Sequence, residues 1–316
     1  NPELAKEISH RLGVPIIDTK ILHFADGEIL FESNETFRGD DVYIIQSTCA
    51  PVTERLMELL ICIDALKRAS ARSINAVIPY FGYSRQERKA KPRQPITAKL
   101  VANLITVAGA DRVICMDLHA AAIQGFFDIP VDDISAINIF SSYFQKMHLK
   151  NIACVSPDHG GVVRASRLAS KLNASLVIID KRRTKPNVSE IVAIVGNVRG
   201  KNCIIVDDIV DTAGTLCHAA SKLKELGAKK VYAAITHGIL SAEALNNINC
   251  SGLDEMIITD TIPLAPEKAC CKKIKVLSVA PLLSSVIKSV SEGTSLSFTL
   301  HDFSRSVHGR KTIKHR

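Results

Sequence analysis

Two adjacent carboxylates followed by a run of small, hydroxylated residues can hold a sugar by its hydroxyls and its phosphate together. Residues 203–216, CIIVDDIVDTAGTL, supply that combination. An apolar run delivers Asp207 and Asp208 at its end, Asp211 follows, and Thr212, Ala213, Gly214 and Thr215 open the next segment. Backbone N–H groups of a small-residue turn approach an anion closely. A helix N-terminus adds the positive end of its dipole, and threonine hydroxyls add donors. The carboxylates cannot bind that anion; they accept hydrogen bonds from vicinal hydroxyls or hold Mg2+. An acidic turn capped by threonine is the plainer reading, and it needs fewer polar groups. GxxxxGK followed by Ser or Thr is absent from the chain, so the stretch is not that type of triphosphate loop. A carboxylate pair beside an anion cradle suits a sugar phosphate.

Other stretches carry matching chemistry. Loop 82–94, GYSRQERKAKPRQ, holds Arg85, Arg88, Lys89, Lys91 and Arg93 against the single acid Glu87. It is either a solvated surface or a polyphosphate site. MDLHA sets Asp117 and His119 beyond a strand end, where an imidazole is a metal ligand or a buried polar group. In SPDHGG, Pro157 shapes a turn around Asp158, and Gly160 and Gly161 permit close backbone approach. DKRRTKPNVSE, 180–190, reads as a polar loop after a strand, either a lid or a surface loop. FADGE, 24–28, spaces Phe24, Asp26 and Glu28 alternately, so that all three face one way on a strand or hairpin; a β-turn at Asp26-Gly27 is the plainer reading.

Alternating strands and helices must position these groups. Strands are expected at Asp41–Gln46, Ser73–Pro79 and Arg112–Met116, with helices at Val52–Ala69, Thr97–Ala108 and Ala120–Phe127. The pattern restarts near residue 135 with strands at 152–156, 175–179, 191–195, 203–206, 230–236, 255–259 and 274–278. Helices are expected at 161–172, 213–226, 241–248 and 280–291. Continuous β-branched runs between helices imply parallel sheets buried on both faces, and ligands then bind at the carboxyl ends of the strands. The fold class is α/β, in two domains: 1–134, joined by 292–300, and 135–291, which carries the sugar-phosphate site. Residues 301–316 form a solvated basic tail with five Lys/Arg (Arg305, Arg310, Lys311, Lys314, Arg316) against Asp302.

Composition agrees. The 316 residues are 47% hydrophobic and 23% charged, enough to fill two cores. A net charge of +8 favours phosphorylated partners or nucleic acid. Trp is absent and aromatics are 5%, which leaves little stacking surface for single strands, so no specific nucleic acid is expected. Nine scattered cysteines without a CxxC pair read as small core hydrophobes in a reducing compartment. No apolar run approaches a membrane span and the N-terminus shows no signal core. A cytoplasmic location is expected, or an organelle if a targeting segment was removed.

VDDIVDTAGT resembles the phosphoribosyl-pyrophosphate motif of phosphoribosyltransferases and ribose-phosphate pyrophosphokinases. FADGE, IPYFGYSRQERK, PITAKLVANL, MDLHA, IQGFFDIPVD, SPDHGG and DKRR resemble the latter family, in family order from about residue 2 to 300. The resemblance implies two phosphoribosyltransferase-like domains, each a central, mostly parallel sheet flanked by helices. It implies a reaction in which ATP and ribose 5-phosphate give phosphoribosyl pyrophosphate and AMP. It places Lys181 and Arg183 on a catalytic loop, and Arg85, Gln86 and His119 at ATP. Phe24, Asp26 and Glu28 would meet the nucleotide across a subunit interface. It gives Mg2+ to His119 and Asp158, and ribose 5-phosphate to Asp207, Asp208, Asp211, Thr212, Ala213, Gly214 and Thr215. His159 either adds a second imidazole near the metal or points outward. Arg38, Gln124, Ser295 and Ser297 would surround a regulatory anion, with inorganic phosphate and ADP as effectors and a homohexamer as the assembly. Family members begin with a short strand and a Gly/Ser turn, whereas this chain opens at the helix that follows. A phosphoribosyltransferase would share 203–216 but not need RQERK, FADGE and DKRR. A silent regulatory relative is disfavoured because His119, Asp158, Lys181 and the carboxylate pair are all present.

Overall fold

The computed structural model describes residues 1–185 and 188–307, and the chain divides into two compact units, 1–135 with 280–296 and 136–279 with 297–316. In the first unit, α1 (Pro2–Leu12) precedes a hairpin of β1 (Thr19–His23) and β2 (Ile29–Ser33). Next come β3 (Asp41–Ile45), α2 (Val52–Arg68), β4 (Ser73–Ile78), α3 (Thr97–Ala108), β5 (Arg112–Met116), a 3-10 turn at Ala121–Phe126 and β6 (Val131–Ile134). The last four strands form a parallel sheet in the order β3-β4-β5-β6. Ala76, Ile78, Val113 and Cys115 of the sheet pack with Leu59 and Ile63 of α2 and Ala102 and Ile105 of α3 in one core. The period of 3.6 on the helices and the unbroken apolar strands make that core unavoidable.

The second unit runs α4 (Ile137–Lys146), β7 (Ile152–Ser156), α5 (Val162–Leu172), β8 (Ser175–Lys185) and β9 (Val188–Val195). It continues with β10 (Asn202–Val210), α6 (Gly214–Glu225), β11 (Lys230–Gly238), α7 (Ala244–Asn249), β12 (Glu255–Thr259) and β13 (Ile274–Leu277). The sheet order is β13-β12-β11-β10-β7-β8-β9, parallel except for the β8–β9 pair. Chain order runs outward in one direction through β7 and β8 and in the other through β10 to β13. The reversal lies between β7 and β10, where open α/β sheets form a crevice at their carboxyl edge. After β13 the chain returns to the first unit as α8 (Ala280–Ser291), then forms α9 (Leu296–Val307).

Several expectations need correction. Residues 280–291 were grouped with the C-terminal domain by sequence adjacency. Instead α8 packs on α1, burying Leu282, Leu283, Val286 and Ile287 beside Leu4 and Ile8. The tail is helical through Val307, because Leu296, Leu300 and Phe303 follow helical spacing; residues 308–316 lie outside the described residues. DKRRTKPNVSE is not a loop after a short strand: β8 runs to Lys185 and pairs antiparallel with β9, Lys181 opposite Ile191 and Arg183 opposite Ser189. Strand β10 also continues past Val206, because Asp207 and Ile209 pair with Ile235 and His237 of β11. Helix α4 was not foreseen. All nine cysteines are free. Burial pushes the Cys154 thiol up to about 12 and that of Cys203 to about 11, which makes both inert core side chains. Among the described residues no helix is long and apolar enough to cross a membrane.

Candidate active site

The second unit's site is built where β7 and β10 lie side by side, Val155 paired with Ile205. Beyond that register β10 presents Asp207 and Asp208, and β7 gives way to the Pro157-Asp158 turn. Asp208 is buried at 4% exposure, and the Asp207 side chain keeps 30%. Asp207 Oδ1 accepts the Asp208 backbone N–H at 3.0 Å. Desolvation, then the neighbouring Asp208 charge, push the Asp207 carboxyl well above the usual carboxylate range; Arg164 opposes them. That arginine, in the first turn of α5, donates from Nη1 to Asp208 Oδ1 at 3.1 Å and to Asp207 Oδ1 at 3.4 Å.

The cradle follows. Asn247 Nδ2 donates to the Thr212 carbonyl at 2.9 Å, and Ser241 Oγ donates to Asp211. Ala213 is held at φ 61°, a left-handed conformation costly for a residue with a Cβ, and it begins α6. Thr212, Gly214 and Thr215 are exposed, and a Cβ placed on Gly214 would meet nothing within 4 Å. Open space at the start of a helix, lined by hydroxyls and small residues, fits a phosphate. In the adjoining turn Asp158 is exposed and its Oδ1 accepts the Gly161 N–H at 3.0 Å, while the Ser156 hydroxyl donates to the Asp158 carbonyl at 2.6 Å. His159 turns toward Asp180, its Nε2 3.0 Å from Oδ1. The side chains of Lys181 and Arg183, on β8, lie outside the described residues.

The first unit carries the other expected residues. Phe24, Asp26 and Glu28 do not alternate along a strand; they form the β1–β2 turn, with Gly27 at φ 94° and Asp26 Oδ1 accepting the Glu28 N–H at 3.1 Å. The turn wins because a five-residue connection closes when Phe24 N–H donates to the Glu28 carbonyl at 2.9 Å. Arg85 and Gln86 are exposed in the long connection after β4. Gln86 Oε1 accepts from Thr97 at the start of α3 at 2.6 Å. Asp117, at φ 37°, is buried at 9% exposure and accepts from Ser135 at 2.9 Å, so it shapes the turn that leaves His119 exposed. Arg38 donates to Ser70 at 3.4 Å, and Gln124 is exposed on the 3-10 turn. Ser295 follows α8, and Ser297 opens α9 in the second unit.

Residues 1–109 match the family described as the N-terminal domain of ribose phosphate pyrophosphokinase, and residues 169–301 match the phosphoribosyl synthetase-associated domain. The ribose-phosphate pyrophosphokinase of Oceanobacillus iheyensis is 56% identical over 297 residues, 94% of this chain and 93% of that protein. That of Bacillus subtilis is 54% identical over 298 residues, 94% of each. The chain belongs to the ribose-phosphate pyrophosphokinase family. The crystal structure of phosphoribosylpyrophosphate synthetase from Mycobacterium smegmatis superposes with a TM-score of 0.87 at 42% identity, covering 93% of this chain and 96% of that one. The shared fold is two α/β units with mostly parallel sheets, and the activity is that of an ATP-dependent ribose-phosphate diphosphokinase.

One group of potential metal ligands stands apart from those the family resemblance named. His23, Glu54 and Glu58 bring one ligand atom each within 4.8 Å of one another, and could hold a metal ion. Glu58 is already engaged, however, accepting from Arg55 at 2.7 and 2.9 Å and from Gln46 at 2.6 Å. An imidazole with a buried, paired carboxylate is also poor chemistry for a hydrated hard cation. Arg164 escaped the sequence reading; its one signal was a basic residue in a helix's first turn, where the dipole disfavours it.

Proposed function

We propose that the carboxylate pair and cradle of the second unit hold ribose 5-phosphate, and that its 1-hydroxyl oxygen attacks the β-phosphorus of ATP. The new bond joins O1 to Pβ. The bridging oxygen between Pα and Pβ departs with AMP, and the hydroxyl proton is released. The observation that carries this reading is the arrangement on β10 and α6. A carboxylate pair, Asp208 buried and Asp207 half-buried, lies in a strand, and the open, small-residue helix start at Gly214 lies six residues beyond, in a chain whose relatives bear this activity. Asp207 and Asp208 accept from the ribose hydroxyls. Asp211 shapes the loop through Ser241, and Thr212 to Thr215 take the 5-phosphate through backbone N–H groups and hydroxyls.

Arg85, Gln86 and His119 are assigned to ATP. Lys181 and Arg183 are assigned to charge that develops on the transferring group. Mg2+ is the expected ion. Family resemblance assigns it to His119 and Asp158, each exposed in its own unit. When bound it supplies charge neutralisation to the polyphosphate. The β1–β2 hairpin exposes Ile21 at 37%, Leu22 at 42% and Phe24 at 54%. Such an uncovered apolar face supports a homo-oligomer, a hexamer by family resemblance, in which Phe24, Asp26 and Glu28 reach a neighbouring copy's nucleotide. Inorganic phosphate and ADP are the proposed effectors at Arg38, Gln124, Ser295 and Ser297. The test is AMP release with ATP and ribose 5-phosphate, with and without Mg2+ and inorganic phosphate. Ribose-dependent, Mg2+-dependent AMP is expected; its absence with soluble, folded protein overturns the reading.

A further inference from the structure

An arginine in the opening turn of a helix works against the helix dipole, yet Arg164 stands three residues after Gly161, the N-cap of α5. Its side chain is only 17% exposed, and one nitrogen, Nη1, serves both carboxylates of the pair. Two neighbouring acids in a desolvated crevice hold one arrangement best when a fixed donor engages both. A guanidinium is the group suited to this. It is planar, always charged and less heavily hydrated than an ammonium. The hydrogen bonds run from that one nitrogen to Oδ1 of each acid.

We propose that Arg164 is a positioning residue for ribose 5-phosphate: it acts through Asp207 and Asp208, fixing the two acids in the one arrangement that meets a pair of vicinal hydroxyls. The proposal rests on the sugar site assigned above. Arg164 touches the acids and α5 carries it from the β7 side of the crevice, so it also ties the Asp158 turn to β10. Its loss leaves both acids in place but unaligned. The sugar then binds weakly, while ATP, held by other residues, is unaffected.

The experiment compares wild type with Arg164→Met and Arg164→Lys in the AMP-release assay, varying ribose 5-phosphate and Mg-ATP separately. Arg164→Met should raise the ribose 5-phosphate KM about 10–100-fold and leave the Mg-ATP KM within about 2-fold. Arg164→Lys, with its charge but not its fork, should fall between Met and wild type. Combining Arg164→Met with Asp208→Asn should cost little beyond Asp208→Asn alone, because the positioned group is already gone. An unchanged ribose 5-phosphate KM overturns the proposal. So does an equal rise in the Mg-ATP KM, which would put Arg164 on the nucleotide, and so does full additivity with Asp208→Asn. If the Met variant does not fold, Arg164→Gln replaces it and the same outcomes decide. Failure of the functional reading itself is seen separately, as wild type without ribose-dependent AMP.

Discussion

Replacing Gly161 by alanine tests whether the Asp158 turn is as tightly built as its geometry indicates. Gly161 has φ −83° and ψ −4°, a conformation any residue adopts, so backbone strain plays no part. A Cβ there would lie 2.9 Å from Ser156 Oγ and 3.5 Å from Pro157 Cδ. The Ser156 hydroxyl is fully buried and already committed to the Asp158 carbonyl at 2.6 Å, so it cannot swing aside without losing that bond. Overpacking of this kind costs about 1–3 kcal/mol, and the reduced freedom of the unfolded chain returns about 0.4–1 kcal/mol. The net loss is about 1–2 kcal/mol, a fall in Tm of roughly 2–8 °C for a unit of this size. Thermal unfolding by circular dichroism reads that directly. In the AMP-release assay the Mg2+ concentration for half-maximal rate should rise several-fold, because the turn that aims Asp158 has moved. Ser156→Ala removes the obstructing oxygen, so Ser156→Ala with Gly161→Ala should be within about 0.5 kcal/mol of Ser156→Ala alone. Losses that simply add in the double variant would refute the steric argument.

Asp208→Asn removes a charged acceptor worth about 1.5–3 kcal/mol and should raise the ribose 5-phosphate KM about 10–150-fold while leaving the far-UV spectrum unchanged. Lys181→Ala should lower kcat by about 10²–10³-fold with ribose 5-phosphate affinity nearly intact; a turnover within about 3-fold of wild type removes this residue from the chemistry. The Arg72 guanidinium, through hydrogen bonds to both oxygens of Asp41, holds that carboxyl at about 2, below its ordinary range. A lowered folded value stabilises the fold above the unfolded value of about 3.9 and is lost as pH falls through the folded one. Arg72→Met should therefore lower Tm slightly at pH 6, as expected for an exposed pair. The two Tm curves should converge as pH drops from about 4 toward 2; parallel curves would remove Asp41 from the explanation.

The strand end and helix start around Asp207 to Thr215 were legible because their polar residues interrupt an apolar run at a point where packing alone would ask for more Val or Ile. The first sheet's strands and α2 and α3 were legible for the same reason in reverse, their apolar periods being uninterrupted. What escaped depended on partners far along the chain. Arg164 meets acids 43 and 44 positions away, and no local pattern announces that pairing. Residues 180–190 look like a loop because they are charged and contain Pro186, yet backbone pairing with β9 needs no apolar side chain. Helix α4 hides Ile137, Phe140 and Phe144 at helical spacing among serines and aromatics, a composition that is ambiguous between helix and strand. FADGE was legible as part of a hairpin, but the shared facing of its three side chains was not, because alternation over five residues is common to strands and to the turns that join them.

The return of α8 to the first unit makes that unit a body written in two separate passages of the gene. A ribosome that has finished residue 135 has emitted β1 to β6 but not the apolar helix that shields Leu4 and Ile8. Only after the whole of β7 to β13 has emerged does the missing piece arrive. The N-terminal portion must therefore wait, incompletely sealed, while residues 136–279 are made. A fragment ending at residue 135 should be sticky and poorly soluble, and a peptide spanning 280–296 supplied in trans should rescue it.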